Sequence, residues 1–344
     1  MSVGARLVHG RGQFVPFSIT RCAAGACAAG RAGARSIWCP AGRTPMCHWV
    51  VRTPPLVGLE RKTSVRQMQI VDARRVLSAD RRGSSWPVIV DADGGPWFTK
   101  LRGAGQGTAA LVAEVIVAEL AEALGLSVPA RALVRAQPNI ESLDRDGELR
   151  ALLDASAGIN LGFAFLAGAS EVGPSQIDLV SRDDAAAIVW LDGLVMNPDR
   201  TARNPNLLWW RNRLWLVDHG ASLGFQYQWS SVTEDSTGLP TPGTEPHLLI
   251  DRATDLAEWD EIFAARLTRE VVEAAVDEVP DEFLRPLLRE ADHGGDEALR
   301  RRRAAYVAFV WKRLKAPRSW VGAPPPQQGR ARTGPPSWVR DRRR

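Results

Sequence analysis

Asp199 lies in the run Asn197-Pro198-Asp199-Arg200-Thr201-Ala202-Arg203-Asn204, and a second acid, Asp218, closes the apolar run Leu214-Trp215-Leu216-Val217. One carboxylate to accept the proton of an attacking hydroxyl, plus an amide oxygen and a further carboxylate to hold magnesium against phosphates, is the side-chain set that phosphoryl transfer requires. The offset from Asp199 to Asn204 is the five residues that separate base and metal ligand in such loops. Asn-Pro-Asp is also a common turn sequence, in which Asn and Asp bond local backbone. The three residues together, with a hairpin between the second and third, favour the catalytic reading.

The elements around these residues must bring them to one place. Asn206 to Trp210 and Leu214 to Val217 are aromatic-rich apolar runs split by Arg211-Asn212-Arg213, which predicts two strands and a polar turn with Asp218 at a strand end. Upstream, residues 86–90 and 96–101 read as strands joined by Asp91-Ala92-Asp93-Gly94-Gly95, and Lys100 falls near the end of the second. Leu111, Val112, Val115, Ile116, Leu120, Ala123 and Leu124 recur at helical spacing, so a helix is expected over 108–124 with Gly125 as its cap. A strand is expected at 132–136 and a polar loop with a short helix over 137–154. A helix started by Asp183-Asp184 then runs over 185–195, ahead of the Asp199 loop.

Residues 226–247 carry Ser, Thr, Gly and Pro without periodicity and predict a long covering loop. Helices are expected near 255–268, 269–278, 281–290 and 295–315, and the Pro- and Arg-rich end is expected to be disordered from Pro317. The order predicts an α+β chain of two lobes with a cleft between them: a small mixed-sheet lobe with one helix over 68–168 and a mainly helical lobe over 169–316. Residues 1–67 and 317–344 are expected to be extensions outside the fold.

Other residues complete the candidate site. Lys100, on a strand ahead of the first long helix, is placed to contact nucleotide phosphates, and a Glu of that helix would be its partner. Glu114 and Glu119 compete; five residues turn them roughly 140° apart, so one face cannot present both. Glu114 is chosen as nearer the helix start, with Glu119 as the fallback. Gly83-Ser84-Ser85 could cradle phosphate with backbone amides. Gly103-Ala104-Gly105-Gln106-Gly107 reads as a connector, and His219 as a residue that holds the turn after Asp218.

Charge narrows the function classes. The formal charge is +5, but residues 1–59 hold seven Arg and no acid, and residues 317–344 hold seven Arg and one acid. What remains is 30 basic against 38 acidic residues, a net of −8 for the body of the chain. A nucleic-acid role is therefore not expected of the folded part. Glu114, Glu119 and Asp192 interrupt the most apolar stretches, so no membrane span is expected. Cys22, Cys27, Cys39 and Cys47, with His48, all lie in the acid-free N-terminal stretch, and their gaps are not those of a zinc knuckle, so no metal is expected there. That stretch has the Arg-rich, acid-free make-up of a transit peptide, or is sequence upstream of a start near Met68.

Gly83-Ser84-Ser85-Trp86-Pro87, Asp93-Gly94 ahead of Lys100, Leu111-Val112-Ala113-Glu114, Asn197 to Thr201 with Asn204-Pro205-Asn206-Leu207-Leu208, and Val217-Asp218-His219-Gly220 together resemble the HipA-like kinase family over roughly residues 70–290. The resemblance implies a protein-kinase-like fold and a serine/threonine kinase that uses ATP and magnesium. It implies Asp199 as the catalytic Asp, acting as base, Asn204 and Asp218 as metal ligands, Lys100 as the nucleotide lysine and Gly83 to Ser85 as the phosphate loop. Arg203 would help neutralise the transferring phosphoryl group. The expected function is phosphorylation of an unnamed protein substrate by a cytoplasmic kinase. A phosphoinositide or small-molecule kinase and a non-catalytic ATP-binding regulator are the alternatives. A toxin role is not carried over.

Overall fold

The computed structural model describes residues 68–80, 86–243, 245–253, 256–288 and 295–321. The strands are β1 (Ile70–Ala79), β2 (Val88–Ala92), β3 (Gly95–Lys100), β4 (Arg131–Ala136), β5 (Glu141–Ser142) and β6 (Gly158–Ala164), with helices α1 (Thr108–Leu124) and α2 (Gly147–Ala155) among them. The rest is mainly helical: α3 (Arg182–Val195), α4 (Leu256–Arg266), α5 (Arg269–Asp277), α6 (Asp281–Leu284) and α7 (Asp296–Lys315), beside a small sheet of β7 (Ser170–Glu171), β8 (Leu207–Trp210) and β9 (Arg213–Leu216). The chain is α+β, sheet first and helices after.

Strand order β2-β3-β6-β4-β1-β5, with β1 also pairing β2, closes the first five strands on themselves. Closure removes the exposed edges that an open sheet would offer. β1 achieves it by running long: Ile70 to Asp72 pair in parallel with β4, while Ala73 to Ala79 pair antiparallel with β2 through register shifts. Inside, Val71, Val76, Val88, Val90, Trp97 and Val134 form a compact core. Gly162 is required there, because a Cβ would overlap the Val134 side chain.

α1 is buried almost all round, unlike a surface helix with one apolar stripe. Leu111, Val112, Val115, Ile116 and Leu120 join α3, α5, α6 and α7 in the larger core, each contributing about 1.5–3 kcal/mol by burial. The helix therefore lies in the core of the helical half and not only against the sheet. It ends at Gly125, whose φ of 90° lets its N–H reach back to Glu122.

Several boundaries differ from the sequence expectation. β1 and β6, unassigned from sequence, are Arg- or Gly-containing strands without clean alternation. The hairpin turn is two residues, Arg211-Asn212, both at positive φ (49° and 58°), so Arg213 belongs to β9. This is the conformation whose twist matches the paired strands. The helix expected over 281–290 is a single turn followed by a tight 3₁₀ turn at Arg285–Leu287, since Pro286 offers no N–H to extend it. The covering loop holds two 3₁₀ segments, Gly224–Ser231 and Glu234–Gly238.

The end expected to be disordered from Pro317 is packed through Val321. Arg318 pairs with Asp260 at 2.6 Å, and Trp320 lies against Trp190 and over Gly193, where any Cβ would overlap the indole. Residues 1–67 lie outside the described residues. Among the described residues, no helix is long and apolar enough to cross a membrane.

Candidate active site

Asp199 follows α3. Met196, at φ 56°, ends that helix, and the Asn197 N–H returns to the Asp192 carbonyl at 2.9 Å. The turn is then fixed by side chains: Asn197 Oδ1 accepts from the Asp199 N–H at 3.0 Å, and Asn197 Nδ2 donates to Asp192 Oδ1 at 2.9 Å. Arg200 is fully buried. Its guanidinium donates to Asp192 Oδ2 at 2.6 Å and to the Asn206 carbonyl, which draws the loop tight around Asp199. His247 Nε2 stands 2.9 Å from the same Asp192 oxygen, and Leu248 N–H donates to the Arg200 carbonyl at 2.9 Å. Burial works to raise the Asp192 pKa, but Arg200, followed by His247, holds its carboxyl well below the usual range. Arg313 braces α3 from outside the loop by donating to the carbonyls of Gly193, Leu194, Thr237 and Leu239, and burial pulls its pKa down to about 10.

Sequence reasoning passed over Asp192, Arg200 and His247 as parts of this brace. One signal was available: an acid inside the otherwise apolar Ile188–Val195 must find a buried partner.

The working face of the loop carries Asp199, Asn204 and Asn206. Asn204 Nδ2 donates to Asp199 Oδ2 at 2.9 Å, and Asn206 Nδ2 donates to the Asp199 carbonyl at 2.7 Å. The β8–β9 hairpin then returns the chain: Val217 N–H donates to the Asn206 carbonyl at 3.1 Å, so Asp218 emerges beside the loop. Asp218 itself has φ 55°, a left-handed conformation that Asp tolerates better than most residues.

Lys100 meets Asp218 from the sheet side. Its Nζ contacts Asp218 Oδ1 at 2.6 Å and also Glu114 of α1. Glu119 does not compete; it pairs with Arg131 on another face. Burial favours loss of the Lys100 proton, but the carboxylates of Glu114 and Asp218 outweigh it and hold the ammonium pKa above its ordinary value. For Glu114, burial acts to raise the pKa, and Lys100, then His219, bring it well below the carboxylate range. Lys100 is thus cationic and Glu114 anionic in a buried contact.

These groups share one cleft of about 410 Å³, lined by Lys100, Asp199, Arg203, Asn204 and Asp218 together with Gly105 to Gly107. The Gly103–Gly107 connector therefore also forms a cleft wall. Arg203 is at the cleft but largely exposed, and its nearest acid is Glu245 at 3.2 Å. Gly83, Ser84 and Ser85 lie outside the described residues; the strands on either side of them, β1 and β2, pair, with Asp80 N–H donating to the Pro87 carbonyl at 2.8 Å. His219 sits behind Asp218, fully buried, and its carbonyl accepts from the Ser222 N–H at 2.9 Å.

The donor set fits magnesium. Asp218 uses one carboxylate oxygen for Lys100, and Asn204 uses its amide nitrogen for Asp199, so Asp218 Oδ2 and Asn204 Oδ1 are hard oxygen donors left over at the cleft. No cluster of three His, Cys, Asp or Glu side chains suited to a metal occurs among the described residues. Magnesium is commonly held by one or two protein carboxylates, with phosphate and water filling the rest of its shell.

The sequence pattern of the family described as HipA-like kinase matches residues 73–284. A search of curated proteins finds no match. Among solved structures, the chain is similar to the crystal structure of a Helicobacter pylori proinflammatory kinase CtkA, at 11% identity and a TM-score of 0.37, covering 72% of this chain and 98% of that one.

Proposed function

The chain belongs to the HipA-like kinase family, and from that premise we propose that it transfers the γ-phosphoryl group of ATP to a serine or threonine hydroxyl of a protein. The observation that carries this reading is the convergence of Lys100, Asp218, Asn204 and Asp199 on one cleft from three separate parts of the chain. In the proposed reaction the acceptor oxygen forms a bond to the γ-phosphorus as the bridging oxygen bond to ADP breaks. Asp199 accepts the hydroxyl proton, held in place by Asn204 and by its own backbone bonds to Asn197 and Asn206.

Lys100 is the cation for the nucleotide phosphates, kept charged by Glu114. Asp218 Oδ2 and Asn204 Oδ1 would hold magnesium, which when bound neutralises phosphate charge. Arg203, largely exposed at the cleft and paired there with Glu245, would turn toward the transferring group and help neutralise it. Gly83 to Ser85, in the sequence between paired β1 and β2, are proposed as the phosphate loop. The acidic body of the chain supports a protein acceptor over an anionic membrane surface.

Two measurements test the reading. ATP with magnesium is expected to raise the melting temperature of wild type but not of Asp218→Asn. Labelled ATP is expected to label wild type, or protein in a lysate, far more than it does with Asp199→Asn. Equal labelling by the two proteins rules out Asp199 as the base, and a magnesium-independent melting shift rules out the metal assignment.

A further inference from the structure

Glu114 and His219 are both fully buried, and each is short of partners. Glu114 Oε1 is taken by Lys100, while Oε2 makes no hydrogen bond within ordinary limits. His219 leaves both ring nitrogens in the same condition. The nearest group to Glu114 Oε2 among these is His219 Nδ1, at 3.4 Å, just beyond ideal hydrogen-bond length. Leaving a buried carboxylate oxygen and a buried ring nitrogen unsatisfied is costly, and one small movement pairs Glu114 Oε2 with His219 Nδ1, with Nε2 unchanged. Gly220, the next residue, fits the same arrangement: a Cβ there would stand 3.2 Å from Glu114 Oε1, so the chain after Asp218 closes directly on the Glu114 carboxylate.

Resting on the kinase reading above, we infer that His219 is a positioning residue whose Nδ1–H holds Glu114 Oε2, and through Glu114 the Lys100 ammonium, in register with Asp218. The neighbouring residue in the chain is Asp218 itself, so one segment fixes both the proposed metal ligand and the partner of the nucleotide lysine. Glu114 is thereby gripped from two sides: Lys100 on one oxygen and His219 on the other. Without the imidazole donor, the carboxylate can rotate and let Lys100 collapse fully onto Asp218, away from a nucleotide.

The tautomer provides a test that needs neither a variant nor an acceptor substrate. His247 Nδ1 accepts from the Leu249 N–H at 3.0 Å, so that ring carries its proton on Nε2. His219 is expected to carry its proton on Nδ1, and ¹⁵N-resolved imidazole spectra of the full chain distinguish the two forms. An Nε2–H His219 overturns the inference.

Calorimetry of ATP with magnesium supplies the second readout. His219→Leu, which keeps bulk but no donor, should weaken binding by about tenfold, the equivalent of one hydrogen bond to a charged group. His219→Asn, whose amide can stand where Nδ1 stands, should stay within about threefold of wild type. Equal losses in both folded variants mean that the ring serves packing alone, and unchanged affinity in His219→Leu means that Glu114 needs no second support. If wild type binds no nucleotide, the kinase reading fails, while the tautomer still decides whether His219 holds Glu114.

Discussion

At the Lys100 cluster, the residues that line the cleft also hold the cluster together; at the Asp199 loop, the two tasks fall on different side chains. Lys100 and Asp218 face the cleft and pair with each other, and the buried Glu114 completes a group of one cation and two anions. The loop instead has a dry brace, Asp192 with Arg200, and a separate working face, Asp199 with Asn204. The difference follows from where the residues come from. Positions 100, 114 and 218 meet only in the tertiary fold, so charge attraction between them is their tether. Asp199 to Asn206 is one short loop, which neighbouring side chains can fasten from behind while its tip stays free.

The sharpest way to break this comparison is Asp199→Asn. If brace and machinery are separate, the substitution should lower phosphoryl transfer by about 10²–10⁴-fold while unfolding free energy changes by no more than about 0.5 kcal/mol. Urea denaturation beside a labelled-ATP assay measures both. A large stability loss would mean that Asp199 is itself part of the brace.

Arg200→Ala is the converse. It leaves the Asp192 carboxylate buried with only His247 and Asn197 for partners, and removing one member of a buried pair costs about 3–5 kcal/mol. Denaturant midpoints should fall accordingly, and residual activity should scale with the folded fraction.

Acid titration compares the two regions together. Asp192 and Glu114 have folded pKa values below their unfolded ones, so the unfolded chain binds more protons and stability falls as pH drops below the ordinary carboxylate value of about 4. Lys100 is shifted upward, so its contribution is complete below the ordinary lysine value of about 10.4 and is lost only as pH rises beyond it. Urea midpoints should therefore be flat, as far as these groups are concerned, from about pH 5 to 9. A flat profile down to pH 2.5 would show that neither carboxylate is held as an ion.

The same division explains what could be read from sequence. The loop spacing, the hairpin and the α1 helix with its Gly125 cap are local patterns, and each is visible in a window of a few residues. Lys100 and Glu114 could be paired by order along the chain, since β3 leads directly into α1. The brace was less legible: Arg200 sits beside Asp199 in a polar run, and nothing local marks it as buried rather than solvated. β1 was missed because it pairs with three strands through register shifts, so its side chains do not alternate cleanly. The packing of Trp320 on Gly193 joins residues far apart in the chain, and the surrounding Pro and Arg composition points the other way.

The smallest expected effect concerns a link outside both clusters. Tyr227, in the 3₁₀ segment after Asp218, donates its hydroxyl proton to Gln106 Oε1 at 2.9 Å, joining the covering loop to the cleft wall ahead of α1. Both groups are exposed, so Tyr227→Phe should cost only about 0.5 kcal/mol, the low end for a neutral hydrogen bond. If the buried Lys100 cluster and the fastened Asp199 loop between them set the width of the cleft, affinity for ATP with magnesium should change by less than about twofold, which calorimetry resolves. A tenfold change would place a third support at the rim, and the cleft would then depend on a contact that water can compete for.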